Sequence, residues 1–411
     1  MTLVQAMLLG AANSGRRAGV RGRPYWHRCP RPHVPAGHLA WGDDRGQLEN
    51  SVSGTAPAID VAEVVACRKD LGVVVAPDPG RLFIPAWTGS EIDYSSQRVA
   101  MRTACHEVSP GGSVPDVGIV VLHWGAREAT DACLESIRSA EYPSVRVFVV
   151  DNARSLDATI TDRATSMAIE ILRPPRNLGF AEGCGWGIAA ALEANVDYIF
   201  LLNNDAVVNR HCLETLVAVA RHTPGAGILS PQIAFREAPD QVWYRGGEFS
   251  LWGRGPRHTD WRRPVDTARS PTDVDYATGC AMLIDPAVIR TVGAFDARQF
   301  AYCEDVDLSL RARRAGFRVL VVPAALVRHG ATYTDARRAQ RVYYSVRNLL
   351  AVMRKHARWY HWASFVPAFA VQWVGFFVLL ACRHRQWSLA WAVGRGLLDG
   401  ARGRLGALDE R

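Results

Sequence analysis

Four short stretches of this chain carry the residue types that acid–base and metal chemistry use. Asp151-Asn152 closes one apolar run and Asn203-Asn204-Asp205 closes another. Glu304-Asp305 opens a polar stretch with helical spacing, and His329 follows a late apolar run. A reaction that expels a diphosphate needs a base to take a proton and a cation to stabilise the departing charge. An aspartate flanked by two amides suits a hard divalent cation that also holds a diphosphate. Gly179 and Gly183 would let backbone approach a sugar or phosphate closely. Each residue also has a plainer reading. Asp151 and the 203–205 triplet suit turns and helix caps, Asp305 suits a helix first turn, and a lone His329 suits a structural or solvated role. Asp307 and Arg311, four apart, read as a helix-surface or supporting pair. His123 reads as a buried, satisfied histidine.

The elements that must position these residues are legible from periodicity. Val117–Leu122, Val145–Val150, Ile169–Leu172 and Tyr198–Leu202 are short apolar runs, read as buried strands. Between them, Thr130, Cys133, Leu134 and Ile137 mark a helical face over 127–139, and a second helix runs from the Arg176–Gly183 stretch through Leu192. Leu213, Leu216, Val217 and Ala220 mark a third. Strands alternating with helices over short connections imply an α/β fold with a mostly parallel sheet covered on both faces. The expected crossover handedness brings Asp151 and Asp205 to one edge, where open sheets bind ligands. Residues 231–275 lose periodicity and read as a long connection that walls or covers a site. Ala281–Ile284 and Arg318–Val322 are further strands, with the helix from Glu304 closed by Gly316.

Composition bounds the rest. A chain of 411 residues is long enough for two or more domains, or for one large α/β domain with extensions. Its net charge of +8 raises the question of nucleic acid, but the basic residues are mostly Arg, clustered near both ends, without the stripe such binding uses, so no nucleic-acid partner is expected. The nine cysteines are scattered, with no Cys-x-x-Cys pair, which argues against a disulfide framework or a zinc site and for a reducing compartment. The apolar run 3–12 is not preceded by Lys or Arg, the wrong order for a secretory signal. Residues 1–115 form a largely irregular extension with a candidate helix at 58–71 and short strands at 72–76 and 81–87. At the other end, Trp362–Cys382 is free of charge and long enough to cross a bilayer. Arg354, Lys355, Arg358, Arg383 and Arg385 flank it, with Trp359, Tyr360 and Trp387 at its ends, the composition of interfacial anchors. Spanning, lying in the interface and packing as a core helix all remain open for it.

The run Gly183-x-Gly185-x-Gly187 is not the dinucleotide fingerprint, which follows a strand directly as Gly-x-Gly-x-x-Gly. Taken in order, Val149–Asn152, Arg176–Gly183, Leu201–Asp205, Gly293–Asp296 and Tyr302–Arg311 resemble the inverting family-2 glycosyltransferases of the GT-A fold. Within these the closest likeness is to the bacterial rhamnosyltransferases of cell-surface polysaccharide assembly. The likeness spans about 117–357, with 116–357 expected as the transferase domain and 358–411 as an apolar, basic helical segment. It implies that Asp151, Asn152, Asn177, Gly179, Phe180, Asn203 and Asn204 bind the donor, and that Asp205 and His329 hold Mg²⁺ or Mn²⁺. It implies that Asp305 is the general base, with Glu304 assisting or binding acceptor. His123-Trp124-Gly125 stands where the family usually shows an Asn or a Tyr-Asn pair. The implied donor is a nucleotide-diphosphate sugar, and the implied acceptor is a saccharide or lipid-linked saccharide at the cytoplasmic face of the plasma membrane. A catalytically silent nucleotide-sugar-binding or scaffold protein on the same fold is the alternative.

Overall fold

A computed structural model describes residues 114–156, 168–253, 255–330 and 335–408. The extension up to residue 113, with its expected helix and strands, lies outside the described residues. The strands are β1 (Val117–His123), β2 (Val145–Asp151), β3 (Ile169–Leu172), β4 (Tyr198–Asn203), β5 (Ala206–Val208) and β6 (Ala226–Phe235). They continue with β7 (Val242–Tyr244), β8 (Gly247–Glu248), β9 (Arg257–His258), β10 (Thr272–Asp273), β11 (Ala281–Ile284) and β12 (Arg318–His329). Ten form one sheet, ordered β10-β12-β6-β11-β4-β1-β2-β3, with β5 paired to β12 and β7 to β6, while β8 and β9 form a separate hairpin.

The sheet is mostly parallel, as the alternation of elements predicts. β1 pairs parallel with β2 and β4, β2 with β3, and β12 with β6. β11 lies antiparallel between β4 and β6. This leaves β4, β6 and β12 pointing the same way, so their carboxyl ends share an edge with those of β1 and β2. Alternate residues of β1 feed two cores: Ile119 and Val121 on one face, Val120 and Leu122 on the other. Burial on both faces explains why these strands read as unbroken apolar runs. β12 outlasts the expected 318–322 because its pairing shifts between Val322 and Leu326 and then resumes to His329. Pro323 sits in that irregularity, where a missing N–H is tolerated.

Helices α1 (Arg127–Arg138), α2 (Gly179–Glu193) and α3 (Cys212–His222) occupy the expected connections. α2 comes unusually close to the sheet. A Cβ added at Gly187 would stand 2.2 Å from Val120 Cγ1, and one at Gly183 would stand 2.6 Å from Leu122 Cδ1. Gly185, between them, has open space. The glycine run is therefore a helix–sheet packing device. α4 (Pro286–Val292) and α5 (Glu304–Arg314) precede β12, and α6 (Asp335–His356) follows it.

The C-terminal apolar stretch forms α7 (Trp359–Phe369), a π-helical turn (Ala370–Gly375) and α8 (Phe376–His384), then α9 (Trp387–Ala401). Phe365, Phe369, Trp373 and Phe377 form one buried stripe joined to the main core. Successive rings stand 5.2, 5.8 and 6.3 Å apart. A four-residue step drifts by about 40° around an α-helix. The wider π turn takes up part of that drift and keeps the stripe facing the domain. α9 packs on α6, where Tyr343 Oη donates to Asp399 at 2.8 Å and Arg354 to the Gly400 carbonyl at 2.6 Å. Arg354, one of the flanking cations, is thus engaged by protein, as is Lys355, whose Nζ donates to Asp307 at 2.9 Å.

Candidate active site

The register of the central strands brings the predicted residues to one place. His123 lies opposite Asp151 across β1–β2, and Leu122 lies opposite Asn203 across β1–β4. His329 ends β12 opposite Ala206 of β5, one residue beyond Asp205. A cavity of about 400 Å³ opens at this edge. It is lined by Asn152, Asn177, Gly179, Phe180, Asn203, Asn204, Asp205, Glu304, Asp305 and His329. Asp151 is not among the lining residues. Its fully buried carboxylate accepts the backbone N–H groups of Ser155 and Leu156, at 3.1 Å each. It works as a cap on the chain leaving β2. His123, also fully buried, contacts Thr130 Oγ1 at 2.7 Å and Ser155 Oγ at 2.9 Å, and burial lowers its pKa.

At the β4–β12 side of the cavity, Asp205 Oδ1 stands 3.1 Å from His329 Nε2. Burial by itself would raise the carboxyl of Asp205, but the His329 charge and hydrogen bond outweigh it and leave it below its ordinary value. Burial would likewise lower His329, but the Cys280 sulfur and the Asp205 carboxylate beside it hold the imidazole well above its usual pKa. Trp243 backs the ring, with centroids 4.7 Å apart, and Nδ1 is buried without a hydrogen-bond partner. One carboxylate and one imidazole thus converge on the cavity. This set fits a hard divalent ion that takes its remaining ligands from a diphosphate and water. Among the described residues, no three His, Cys, Asp or Glu side chains are grouped to hold an ion alone. Asn204 steadies the triplet by donating to Thr130 Oγ1 at 2.9 Å.

Across the cavity, α5 begins in an abrupt turn. Phe300, Tyr302 and Cys303 all have positive φ, at 64°, 70° and 70°. Three non-glycine residues in that region within four positions is costly backbone, held only where surroundings over-determine it. Here the surroundings are Arg347 and Asn348 of α6. The Asn348 amide donates to the carbonyls of Gln299, Ala301 and Tyr302 at 2.8, 2.7 and 2.7 Å. Arg347 donates to Gln299 at 2.7 Å and to Gly406 at 2.6 Å, with its guanidinium over the Tyr344 ring. The turn delivers Glu304 and Asp305 to the cavity. Asp305 accepts the N–H groups of Gly279 at 3.0 Å and Val306 at 2.8 Å. Burial pushes its carboxyl up against the pull of those donors. Glu304 is raised well above the carboxylate range by burial, then by the charge of Asp305, and its Oε2 is buried without a partner.

The same turn organises the loop before α2. The Phe300 carbonyl accepts the N–H groups of Phe180 and Ala181, at 2.6 and 3.0 Å, at the start of α2. Gly179 has φ of 72°, and a Cβ there would stand 2.5 Å from that carbonyl, so glycine is required. Asn152 donates to Asn177 Oδ1 at 2.9 Å and to the Gly179 carbonyl at 3.1 Å, and accepts the Leu178 N–H at 2.8 Å. Asn152 and Asn177 therefore shape the loop as well as line the cavity.

Asp307 belongs to a supporting pair with Arg311 and not to a surface one. It is fully buried and accepts from His356 Nε2 at 2.7 Å, Arg311 Nε at 2.9 Å and Lys355 Nζ at 2.9 Å. Arg311 also donates to the carbonyls of Gly293 and Ala294, which ties the Gly293–Asp296 stretch to α5. The 231–275 stretch, expected to be an irregular connection, holds the end of β6, strands β7 and β10 and the β8–β9 hairpin, most of them too short to show a period, and supplies Trp243, Pro256 and His258 to the cavity wall. Burial holds His258 at a pKa of about 3, hence neutral. Cys184 and Cys303 are buried thiols pushed well up by burial, and Cys280 is raised for the same reason, as core residues should be. Sequence reasoning missed the roles of Gly279, Asn348 and Arg347. Only the Arg347-Asn348 pair, two polar residues among apolar ones, left a trace in the sequence.

The family model described as "Glycosyltransferase like family 2" matches residues 115–361, more than half of the chain. A curated relative, the N-acetylglucosaminyl-diphospho-decaprenol L-rhamnosyltransferase of Mycobacterium tuberculosis, is 28% identical over 242 residues, covering 53% of this chain and 77% of the relative. The pre-mycofactocin glycosyltransferase of the same organism is 28% identical over 232 residues, covering 55% of this chain and 45% of that protein. Among solved structures, the mannosyltransferase PcManGT of Pyrobaculum calidifontis, in complex with GDP-Man and Mn²⁺, superposes with a TM-score of 0.46 at 14% identity. That match covers 75% of this chain and 93% of the other. The likeness to rhamnosyltransferases agrees with the five motifs, and the chain belongs to glycosyltransferase family 2.

Proposed function

We propose that this glycosyltransferase moves a sugar, with rhamnose as the first candidate, from a nucleotide-diphosphate donor to a hydroxyl of a saccharide or lipid-linked saccharide. Inversion at the anomeric carbon is the stereochemical course. One observation carries the reading: Asp305 and the Asp205–His329 pair face a single cavity whose floor is the Asn152–Asn177–Gly179 loop. Asp305 takes the acceptor hydroxyl proton, and the oxygen attacks the anomeric carbon from the face opposite the nucleotide. The bond from that carbon to the diphosphate oxygen breaks, and the diphosphate leaves with the electron pair. A carboxyl raised by burial is a stronger base than an exposed one, which suits this step. Glu304, beside Asp305 at the cavity wall, assists it or binds the acceptor. Asp205 and His329 would hold a divalent ion, Mg²⁺ or Mn²⁺, which would supply charge stabilisation to the leaving diphosphate. A role in cell-surface polysaccharide assembly, at the cytoplasmic face of the plasma membrane, follows from an acceptor of this class.

The test is nucleotide release from thymidine-, uridine- and guanosine-diphosphate sugars, wild type beside Asp305→Asn. Metal-dependent release from one donor, lost in the variant, is the expected result and names the sugar. Donor binding without release, even with membrane lipid extract supplied as acceptor, would instead assign a silent binding protein.

A further inference from the structure

The segment Trp359–Leu380 is long and apolar enough to cross a membrane: an 18-residue window within it has a mean hydropathy of 1.9, yet only 22% of that window is buried. Its two faces differ. Inward, the Phe365–Phe369–Trp373–Phe377 stripe belongs to the main core, and Trp373 is 2% exposed and lines the catalytic cavity with Pro256. Outward, Trp359 is 84% exposed, Val371 72% and Leu379 67%, with Val366 and Val378 also exposed. α9 repeats the division: Leu389, Ala392 and Val393 are buried, whereas Trp387 and Trp391, one turn apart, are exposed. An apolar surface of this extent on a soluble face marks an interaction site.

We propose that the outward faces of α7–α8 and of α9 dock on an anionic lipid bilayer, with the helix lying on the surface and not crossing it. The charge pattern identifies the occupant. No Asp or Glu occurs from Trp359 to Leu398, while Arg358, Arg383 and Arg385 are exposed at the helix ends. Exposed tryptophans beside arginines are the groups that anchor at the headgroup level. The inner stripe decides orientation. A spanning helix would have to leave its seat on the core and take Trp373 out of the cavity wall. A helix with one face packed on protein and one apolar face outward instead fits an interfacial position. If the acceptor is lipid-linked, as proposed above, the cavity wall formed by Trp373 then lies close to the acceptor's own membrane.

Sedimentation of the full chain with vesicles tests this, and it reads no catalysis, so its failure leaves the transferase reading standing and the reverse holds too. The wild type should bind phosphatidylcholine vesicles containing phosphatidylglycerol and bind pure phosphatidylcholine more weakly. Val371→Glu with Leu379→Glu should weaken vesicle binding more than tenfold with no change in the unfolding midpoint. Arg383→Gln with Arg385→Gln should reduce only the anionic, salt-sensitive part. Equal binding by the Val371/Leu379 variant, or no binding by the wild type, would overturn the proposal. So would self-association that the Val371/Leu379 variant abolishes without any vesicle binding, since a second copy would then cover the face. Resistance of the membrane-bound chain to alkaline carbonate extraction would show spanning and overturn the surface orientation.

Discussion

Replacing Asn348 by alanine removes the one side chain whose amide reaches three carbonyls of the turn before Glu304. The amide has two hydrogens for those carbonyls, so its loss leaves at least two hydrogen bonds unmade at a fully buried position. At roughly 1–3 kcal/mol for each unsatisfied buried group, with water partly compensating, the cost is about 2–4 kcal/mol. For a domain of this size that corresponds to a fall in Tm of about 4–16 °C. The turn also stores positive φ at Phe300, Tyr302 and Cys303, which relaxes once its clamp is gone. Relaxation moves Asp305 and withdraws the Phe300 carbonyl from the start of α2. The assay pairs thermal unfolding with nucleotide release measured well below the variant's Tm. The expected result is a lower Tm and a kcat reduced at least tenfold, with Asn348→Asp no better, because a carboxylate cannot donate to carbonyls. A Tm within 1 °C of wild type together with kcat within twofold would refute the idea that α6 holds the turn before Glu304 in place.

Gly187→Ala should cost about 1–3 kcal/mol in denaturant unfolding through collision with Val120. Gly185→Ala, on the open side of the same helix, should be neutral or stabilising by up to about 1 kcal/mol. Asp307→Ala should cost about 3–5 kcal/mol by stranding buried partners. Burial alone would raise the Asp307 carboxyl, but the His356 hydrogen bond, then Arg311 and Lys355, hold it well below the usual range. A depressed carboxylate contributes fully above its unfolded pKa of about 4 and loses that contribution as pH falls below it. His356, lowered by burial despite Asp307, adds a loss beginning below about pH 6.5, where the unfolded imidazole takes up a proton. Urea midpoints from pH 7 to pH 3 should therefore fall for the wild type and fall less for Asp307→Ala. Chelation should abolish nucleotide release, and Mn²⁺ or Mg²⁺ should restore it in the wild type but not in Asp205→Ala.

The central sheet and most of the lining residues were legible because both follow from local pattern. Buried parallel strands must be continuously apolar, and polar residues can enter only where such a strand ends, so Asn152, Asn203 and Asp205 announce the site edge. The same logic failed at Asp151. A carboxylate that caps a loop and one that meets a ligand look identical in sequence, and only the Ser155 and Leu156 contacts show which is present. At Asp307, helical spacing to Arg311 gave the supporting pair that forms but not its burial, because the further partners, Lys355 and His356, come from some fifty residues away.

By itself, then, the sequence determined the strand–helix alternation, the family and the edge at which the candidate site lies, since periodicity and strand-end polarity are local properties of the chain. Tertiary structure alone decided how that edge is assembled. The left-handed turn at 300–303 carries no glycine to betray it and exists because Asn348 and Arg347, distant in sequence, satisfy its carbonyls. Which face of the apolar C-terminal helix is covered was likewise undecidable from composition, because both faces are apolar. The four-residue aromatic stripe becomes an inner face only when a π turn keeps it in line against a core built by other elements.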